Sequence, residues 1–428
     1  MSVPLLLVFV VLIVSFVVKV PVALSMMVSG IFYLLITGQD IGLAAELILS
    51  RLYASYLLMA VPLFVFTASI LNSGAITEKI FNFARVLFGR WKGGLGHVNV
   101  FASLIFSGMT GSAIADASGL GLMEIDAMRK EGYDDGFSCA VTACSATIGP
   151  IFPPSIPLVI YSMLSGASVG ALFWAGMVPG VMIAIALMIY IMFIANIRNY
   201  PRGEKYKFKE FISFTAKAFP ALLTPVILLT GIYTGVMTPT EAGAVAAFYA
   251  LLISILIYRT VGFKSLWSVV LDTVKTTGTI GLTVGAAMFF SYIITNENVS
   301  ESVGAFLIGF GGNRIIFLLV VNIVLLLLGM FFDTSTIQLI LIPILAPIAE
   351  QLGIDLIHFG IIFTLNTMIG LSTPPFGILL FILSGISGEK LKVIIKETIP
   401  MLGVMLIVLG LVTYIPDIVL FAPRMFGY

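Results

Sequence analysis

Long uncharged apolar runs, separated by short basic stretches, dominate the hydropathy pattern of this chain. Runs such as 4–18, 22–37, 222–237, 243–258 and 401–415 contain no charged residue, and most reach the length that a helix needs to cross a hydrocarbon core. They lack the alternation of apolar and polar residues that is typical of transmembrane barrel strands. The pattern therefore predicts an all-α polytopic membrane protein.

Composition and charge agree with this class. Of the 428 residues, 60% are hydrophobic and only 10% are charged, whereas soluble proteins carry about 25% charged residues. A net charge of +1 gives no basis for nucleic-acid binding. Cys139 and Cys144 are too few and too close for a disulfide framework or a zinc site, so we expect them to pack as small residues. The first run lacks the basic start and the cleavage pattern of a signal peptide, and we expect a retained span.

Lysine and arginine are concentrated in short stretches, which predicts the orientation of the chain. These stretches are 79–92, 129–130, 198–217, 259–275 and 390–396. By the positive-inside rule they all face the cytoplasm, so that both termini lie outside. The segment 93–128 must leave the cytoplasm and return to it, either as two spans or as a re-entrant hairpin with the polar tip "SGMTGSAIADASGLG". Segments 77–88 and 208–219 resemble amphipathic helices lying flat on the inner surface, although ordinary connectors explain them equally well.

The second half of the chain repeats the helix breakers of the first half at an offset of 221 residues. Gly108-Met109 matches Gly329-Met330, Pro153-Pro154 matches Pro374-Pro375, and Pro179 matches Pro400. The charges are reversed, because Arg129-Lys130 corresponds to Glu350-Gln351 and the uncharged stretch 169–175 corresponds to the basic stretch 390–396. We therefore predict an inverted-topology repeat with two re-entrant hairpins and two broken helices.

The broken helices predict a binding site for a small cation. A proline inside a helix costs roughly 3 kcal/mol, and backbone groups that are unpaired within a membrane are tolerated where they line an enclosed cavity. Freed carbonyls beside hydroxyls favour Na⁺ over a transition metal. The predicted Na⁺ ligands lie in the hairpin tips and the breaks: Ser103, Ser107, Gly108, Ser112, Ser145, Thr147, Gly149, Gly329, Asp333, Thr334, Asn366, Thr367 and Gly370. The competing interpretation is that the prolines merely kink structural helices.

The same breaks predict an anion site next to the cation. Half-helices that begin near Ser155 and Thr373 would present free backbone N–H groups and the positive end of a helix dipole, which attract carboxylates. The predicted substrate-binding residues are Thr110, Pro154, Ser155, Ser372, Thr373 and Pro375. No cofactor is expected besides Na⁺ as the coupling ion.

Several polar residues admit two interpretations. Asp333 is either a sodium ligand or the N-cap of the following helix. Asp116 has no acidic counterpart in the repeat, so a cap or a packing role is favoured over ion binding. Glu241 fits a first-turn acid of a helix. His97 and His358 do not correspond in the repeat, which argues against a proton relay.

Enzymatic and ATP-driven activities find no support in the motifs. The chain has neither an HExxH motif nor a GxxxxGK[ST] loop, and no polar segment is long enough to form a nucleotide-binding domain. We therefore expect a secondary transporter and not an enzyme, since paired interrupted helices in an inverted repeat are typical of that class.

Three segments give the chain a specific family resemblance. "MTPTEAGAVAAFYAL", "LGMFFDTSTIQLILIPILAPIAEQLGIDLIHFGII" and "NTMIGLSTPPFGILLF" resemble the large membrane subunit of tripartite ATP-independent periplasmic (TRAP) transporters, and the resemblance extends over nearly the whole chain. It implies a multi-pass protein of the bacterial inner membrane, with both termini periplasmic, that imports an organic acid anion such as sialic acid or a C4-dicarboxylate by Na⁺ symport.

The resemblance also implies partners and an elevator mechanism. The partners would be the lipid bilayer, a separate small membrane subunit with four helices, and a periplasmic substrate-binding protein. The alternative is a stand-alone divalent-anion/sodium symporter of the same wider fold. The implied units are scaffold helices with a cytoplasmic arm (1–92), a first transport element (93–168), a crossing helix with a basic linker (169–217), a second set of scaffold helices (218–314), a second transport element (315–388) and a C-terminal crossing helix (389–428).

Overall fold

The computed structural model describes residues 2–72, 74–203, 205–309 and 313–428. Within these residues the regular structure is helical, and the isolated bridge between Lys92 and Arg202 is the single strand-like pairing. The first half forms α1 (Val3–Val17), α2 (Val22–Thr37), α3 (Gly42–Ala54), α4 (Ala60–Leu71), α5 (Gly74–Phe88), α6 (Gly94–Thr110), α7 (Ala113–Gly119), α8 (Gly121–Lys130), α9 (Asp135–Ala146), α10 (Ile156–Ser165) and α11 (Val169–Ile197).

The second half continues in the same way. It forms α12 (Phe208–Tyr233), α13 (Pro239–Leu252), α14 (Phe263–Asn296), α15 (Val299–Gly309), α16 (Arg314–Gly329), α17 (Thr334–Gln351), α18 (Leu356–Leu371), α19 (Ile378–Ser387), α20 (Leu391–Tyr414) and α21 (Pro416–Met425). A 3₁₀ turn, Tyr56–Met59, precedes α4, and a π-helical turn, Ile253–Ile257, extends α13. The all-α prediction is confirmed.

Many of these helices are suited to a membrane. Six of them in the described residues are long and apolar enough to cross it, namely α11, α12, α13 with its π turn, α14, α17 and α20. α4 and α5 form a further candidate that is bent by 76°. The outer face of α11 exposes Ile189 and Phe193 at 58% and 64%, as a surface in contact with lipid would. The chain is a multi-pass membrane protein.

The segment between residues 93 and 130 forms a helical hairpin. α6 turns into α7 through Gly111 and Ser112, and Gly111 has the left-handed φ of 57° that glycine tolerates best. α6 has 17 residues, which corresponds to a length of about 25 Å. A second hairpin joins α16 to α17 through residues 330–333.

The two halves have matching helices. Shifting α6, α9, α10 and α11 by 221 residues superimposes their bounds on those of α16, α18, α19 and α20 to within a few residues. Both interruptions contain a cis X-Pro bond, at Pro153-Pro154 and at Pro374-Pro375. The halves differ where the separate helices α3 and α4 correspond to the single helix α14.

The two segments predicted to be amphipathic behave differently. Residues 77–88 lie in the separate helix α5, as expected. Residues 208–219 are instead the first turns of α12, which continues to Tyr233 despite Pro220 and Pro225. The apolar sequence that follows residue 219 continues the helix. Each proline removes only one backbone donor, and the packing of the apolar side chains stabilises the remaining turns.

Ion pairs gather three distant parts of the chain at one end of the helical bundle. Arg198 contacts Asp134 at 3.1 Å and Glu397 at 2.8 Å. Arg129 binds Asp135 at 2.7 Å and donates to the carbonyl of Ser387 at 2.8 Å. We call this the basic end, formed by 129–135, 198–202 and 387–397. The sequence predicts that the basic stretches 129–130, 198–217 and 390–396 lie on one side of the membrane, and the structure brings parts of all three together at this end.

The opposite end of the bundle is formed by residues 161–170, 351–356 and 413–428. The Tyr161 hydroxyl donates to the carbonyl of Leu356 at 2.6 Å, and Gly170 packs against the ring of Tyr428. α11 connects the two ends over 29 residues, which is about 43 Å. Consequently α9 starts at the basic end, whereas its counterpart α18 starts at the opposite end.

Candidate binding cavity

A cavity of about 390 Å³ lies where the two hairpin tips approach the two helix breaks. The tips contribute Thr110, Gly111, Ser112, Ala113, Ile114, Ala115, Asp333, Thr334 and Ser335. The breaks contribute Pro150, Ile156, Pro157, Met368 and Leu371, and the wall is completed by α4 and α14 through Val65, Ala68, Ser69, Asn72, Thr276 and Ile280. Residues from both halves thus surround one space.

The first hairpin tip rests directly on the first break. A Cβ atom on Gly111 would lie 2.6 Å from the carbonyl oxygen of Pro154, so only glycine fits this approach. Ser112 is the N-cap of α7 and accepts a hydrogen bond from the Ala115 N–H at 3.4 Å. Gly149 lies against the backbone of residues 112–113. The predicted pairing of tip and break in the first half is therefore present.

The first break begins a half-helix where the sequence predicts it. Ser155 is the N-cap of α10 and accepts from the Leu158 N–H at 3.2 Å. Its hydroxyl donates to the carbonyl of Pro150, and the Thr147 hydroxyl donates to the carbonyl of Cys144 at 2.6 Å. The freed carbonyl of Pro150 is therefore satisfied by a hydroxyl of the same segment, whereas the Cys144 carbonyl also accepts the Thr147 N–H at 3.3 Å.

The second tip is capped by Asp333. Its Oδ2 accepts from the Thr336 N–H at 3.1 Å and its Oδ1 from the Thr336 hydroxyl at 2.5 Å. Asp333 is thus an N-cap, which is one of its two predicted roles, and it also lines the cavity. The Thr334 hydroxyl is 3.9 Å from the sulfur of Met368 at the second break.

The second break differs from the prediction. Thr373 was expected near the start of a half-helix, but α19 begins at Ile378, and its N-cap is Gly377 with a φ of 51°. The hydroxyls of Ser372 and Thr373 instead donate back to the carbonyl of Ile369, at 3.1 Å and 2.7 Å. The reason is that Thr373 precedes Pro374, and a residue before proline disfavours the helical region, so a helix does not begin there.

Backbone contacts hold the second tip and the second break together. A Cβ atom on Gly370 would lie 2.6 Å from the Cα of Gly329. The Gly377 N–H donates to the carbonyl of Met330 at 3.1 Å. Asn366 binds the side chain of Asn322 on α16 at 2.6 Å, a partner that was not predicted.

A buried polar network lies behind the cavity in the first half. The Ser103 hydroxyl donates to the Ser145 hydroxyl at 3.1 Å, and Ser145 donates to Oδ1 of Asn99 at 2.8 Å. Asn99 in turn donates to Thr142 at 2.7 Å. The predicted pair Ser103 and Ser145 is therefore in contact. The Ser107 hydroxyl instead donates to the carbonyl of Ser103 within its own helix.

The remaining predicted residues fall into two groups. Four of the predicted polar side chains line the cavity: Thr110, Ser112, Asp333 and Thr334. Others lie behind it, including Gly108, which packs on Pro225, and Thr367, whose hydroxyl donates to the carbonyl of Phe363 at 2.9 Å. Pro154, Ser155, Ser372, Thr373 and Pro375 form the breaks but are not among the residues that line the cavity.

Asp116 and Glu124 are two buried carboxylates on the arm of the first hairpin that follows the tip. They are 2% and 1% exposed, and in the described part of the chain neither oxygen of Asp116 has a hydrogen-bond partner. Asp116 is not the cap of α7, because Ser112 has that role. An ionisable residue inside a membrane segment marks a candidate functional site.

Other residues behave as expected. Glu241 accepts from the Thr238 N–H at 2.8 Å and helps to cap α13. Cys139 and Cys144 are free and buried. The two histidines belong to separate environments: His97 lies 5.3 Å from the ring of Trp91, and His358 is 2.8 Å from the carbonyl of Val412.

One motif string of hydrolases occurs in the chain, but the described geometry around it does not form a catalytic site. The string G-x-S-x-G does occur at 166–170, but its Ser168 is the N-cap of α11 and accepts from the Ala171 N–H at 3.4 Å. That geometry is a helix start and not a nucleophile elbow. Among the described residues no three His, Cys, Asp or Glu side chains are grouped as metal ligands.

The chain is similar over most of its length to known transporter proteins. Residues 9–418 match the family model of the DctM component of tripartite ATP-independent periplasmic transporters. The chain is 41% identical to the sialic acid TRAP transporter large permease protein SiaM of Vibrio cholerae, over 95% of this chain and 96% of that protein. It is 36% identical to the C4-dicarboxylate TRAP transporter large permease protein DctM of Pseudomonas aeruginosa, over 94% of each.

Two further proteins extend the comparison. The isethionate TRAP transporter permease protein DctMQ of Oleidesulfovibrio alaskensis is 34% identical, and the match spans 95% of this chain but 64% of that longer protein. The crystal structure of the YdaH transporter of Alcanivorax borkumensis superimposes with a TM-score of 0.61 at 11% identity, over 86% of each chain, which shows a shared fold. The chain belongs to the DctM component family of tripartite ATP-independent periplasmic transporters, and it is a transporter permease and not an enzyme.

Proposed function

We propose that this chain is the large membrane subunit of a Na⁺-driven importer of an organic acid anion, working by an elevator mechanism. The observation that carries the proposal is the cavity of about 390 Å³ between both hairpin tips and both helix breaks. Such a meeting point of discontinuous helices is where secondary transporters bind their substrates.

The cavity offers suitable chemistry for a carboxylate. α17 begins at Thr334, and the first residues of that helix line the space. The N-terminus of a helix carries partial positive charge, and in α17 the Thr336 N–H is already bonded to the Asp333 cap. Hydroxyls of Thr110 and Ser112 stand on the facing tip. The relatives are named for sialic acid, C4-dicarboxylate and isethionate, which are all organic anions, and we propose a substrate of this class.

Asp116 is a further candidate for a sodium ligand, in addition to those that the sequence predicts. Ser103 and Ser145 are in contact within a buried network, and Asp116, on the neighbouring arm of the same hairpin, is buried without a partner in the described residues. A carboxylate in such a place is costly unless a cation or a proton balances it. We therefore propose Asp116 as the charged ligand of a sodium ion held in this region.

The distribution of helix ends supports an inverted repeat. α9 begins at the basic end and its counterpart α18 begins at the opposite end, as two copies in opposite orientation require. The cavity wall combines α4 and α14 with the hairpins and breaks. We propose that segments 93–168 and 315–388 move against the scaffold of 1–92 and 218–314, so that the cavity lies at the sliding interface.

Labelling of single cysteines tests the orientation. In a Cys139→Ala, Cys144→Ala background, Lys130→Cys should react with a membrane-impermeant maleimide only from the cytoplasmic side. Glu350→Cys should react only from the periplasmic side. Both native residues are exposed, so labelling reports their location. Reaction of both positions from the same side would overturn the inverted repeat.

The proposed partners are a small four-helix membrane subunit and a periplasmic substrate-binding protein. The family is defined as one component of a tripartite transporter, and the longer DctMQ relative has room for an additional fused segment. We place the complex in the bacterial inner membrane with both termini of this chain periplasmic, because the basic end would then face the cytoplasm.

Replacement of sodium tests the coupling ion. Proteoliposomes containing the chain, its small subunit and the loaded binding protein should accumulate substrate under an inward Na⁺ gradient. Uptake should fall to background when K⁺ replaces Na⁺ on both sides. Equal uptake in the two conditions would contradict Na⁺ coupling. Full uptake by this chain without its partners would favour the stand-alone symporter instead.

A further inference from the structure

A second pocket, of about 380 Å³, lies at the basic end on the outside of the bundle. It is lined by Arg90, Trp91, Lys92, Met192, Asn196 and Arg202. Three of these six side chains are cations, and the lining includes no carboxylate. We name it the interfacial pocket. It is separate from the binding cavity, because the two share no lining residue.

Backbone pairing fixes the position of the cations. Lys92 and Arg202 form an antiparallel bridge. On either side of it, the Gly93 N–H donates to the carbonyl of Pro201 at 3.1 Å and the Gly203 N–H donates to the carbonyl of Gly89 at 2.9 Å. This short ladder brings residues that are 110 positions apart to one place. The cluster is therefore a product of the fold and not of a local run of basic residues.

The charges of the interfacial pocket are not neutralised by the described residues. Arg85, Arg129 and Arg198, which lie at the same end, each pair with a carboxylate at 2.5–3.1 Å. No ion pair of the described residues involves Arg90, Lys92 or Arg202, and Lys92 reaches only the amide oxygen of Asn199, at 3.4 Å. Three cations held together without a counter-charge from the described part of the chain favour an anionic ligand.

The surroundings of the pocket indicate what kind of anion binds. Trp91 is 41% exposed beside the cations, as an aromatic anchor at a membrane surface would be. From the pocket, α11 continues with the exposed apolar residues Met192, Phe193 and Ile189, at 49%, 64% and 58%. A ligand that fits here has a negatively charged head next to the cations and apolar chains along α11.

We propose that the interfacial pocket binds the phosphodiester headgroup of an anionic phospholipid. Arg90, Lys92 and Arg202 contact the phosphate, Trp91 lies at the glycerol level, and the acyl chains follow the exposed face of α11. Basic pockets on the cytoplasmic side of membrane proteins bind such headgroups. Residues 90–92 of the interfacial pocket connect α5 to α6, and Met192 and Asn196 lie near the end of α11. A bound lipid therefore links this connection to α11.

Lipid binding to the purified complex tests the proposal independently of transport. The variant R90Q/K92Q/R202Q should lose phosphatidylglycerol that the wild type retains in native mass spectrometry. Its affinity for added phosphatidylglycerol, measured by thermal shift, should fall about a hundredfold, since each basic residue near an anionic surface contributes about fivefold. The control K390Q/K392Q/K396Q removes the same charge at the same end and should bind as the wild type does.

Three results would overturn the proposal. One is equal retention of phosphatidylglycerol by the R90Q/K92Q/R202Q variant and the wild type. Another is an equal loss in the control, which would indicate a diffuse charge effect. The third is an equal stabilisation by inorganic phosphate alone, which would make the pocket a site for free anions. Phosphatidylcholine vesicles, with and without phosphatidylglycerol, provide the matched lipid background for all variants.

Discussion

Replacing Asp116 by asparagine should abolish Na⁺-driven uptake while the protein still folds. Asparagine keeps the shape of the side chain and one oxygen ligand but removes the negative charge. Removing one partner of a buried charge pair costs about 3–5 kcal/mol, which lowers the affinity for the cation by more than a hundredfold. The measurements are Na⁺-dependent uptake in proteoliposomes and the Na⁺ concentration that stabilises the purified complex by half its maximal thermal shift.

The chain provides a matched control for this substitution. Asp126 lies on the same hairpin arm, but its side chain is 51% exposed. Its carboxylate makes a long ion pair with the Arg129 guanidinium, at 3.9 Å. Asp126→Asn should leave uptake and the Na⁺ midpoint unchanged. If Asp116→Asn also transports normally with an unchanged Na⁺ midpoint, then Asp116 is neutral in the working protein and is not a sodium ligand.

The fold and the centre of the site could be predicted because helix breakers act locally. A proline pair interrupts an apolar helix wherever it occurs, so the breaks at Pro153-Pro154 and Pro374-Pro375 were visible in the sequence. The start of the half-helix at Ser155 was also visible, because a serine before an apolar run is a strong N-cap. Thr373 misled the same argument. It precedes a proline, and its hydroxyl turns back to α18.

The wall of the cavity could not be predicted in this way. Ser69 and Thr276 line it from α4 and α14, and neither stretch contains a helix break that would mark it as part of the site. Their position depends on how helices far apart in the chain pack, which periodicity does not reveal. The burial of Asp116 depends in the same way on tertiary packing, because the repeat offers no acidic counterpart that would indicate its surroundings.

Gly370→Ala should disrupt the contact between α16 and α18 in the second half. The added Cβ would lie 2.6 Å from the Cα and 2.8 Å from the carbonyl carbon of Gly329. Both are backbone atoms, so α16 and α18 must separate for the methyl group to fit. Overpacking of this kind costs about 1–3 kcal/mol. Separation also pulls on the hydrogen bond between Gly377 and Met330, which holds the tip on the break.

We therefore expect Gly370→Ala to lower the melting temperature of the purified complex and to eliminate uptake in proteoliposomes. Gly385→Ala is the matched control, because a Cβ at this helical position meets no atom within 4 Å. An alanine there gains up to about 1 kcal/mol of helix propensity, so its melting temperature should be equal or higher and its uptake normal. A Gly370→Ala protein as stable and active as Gly385→Ala would mean that α16 and α18 do not pack backbone against backbone. The second tip would then lack the support on which the binding cavity depends.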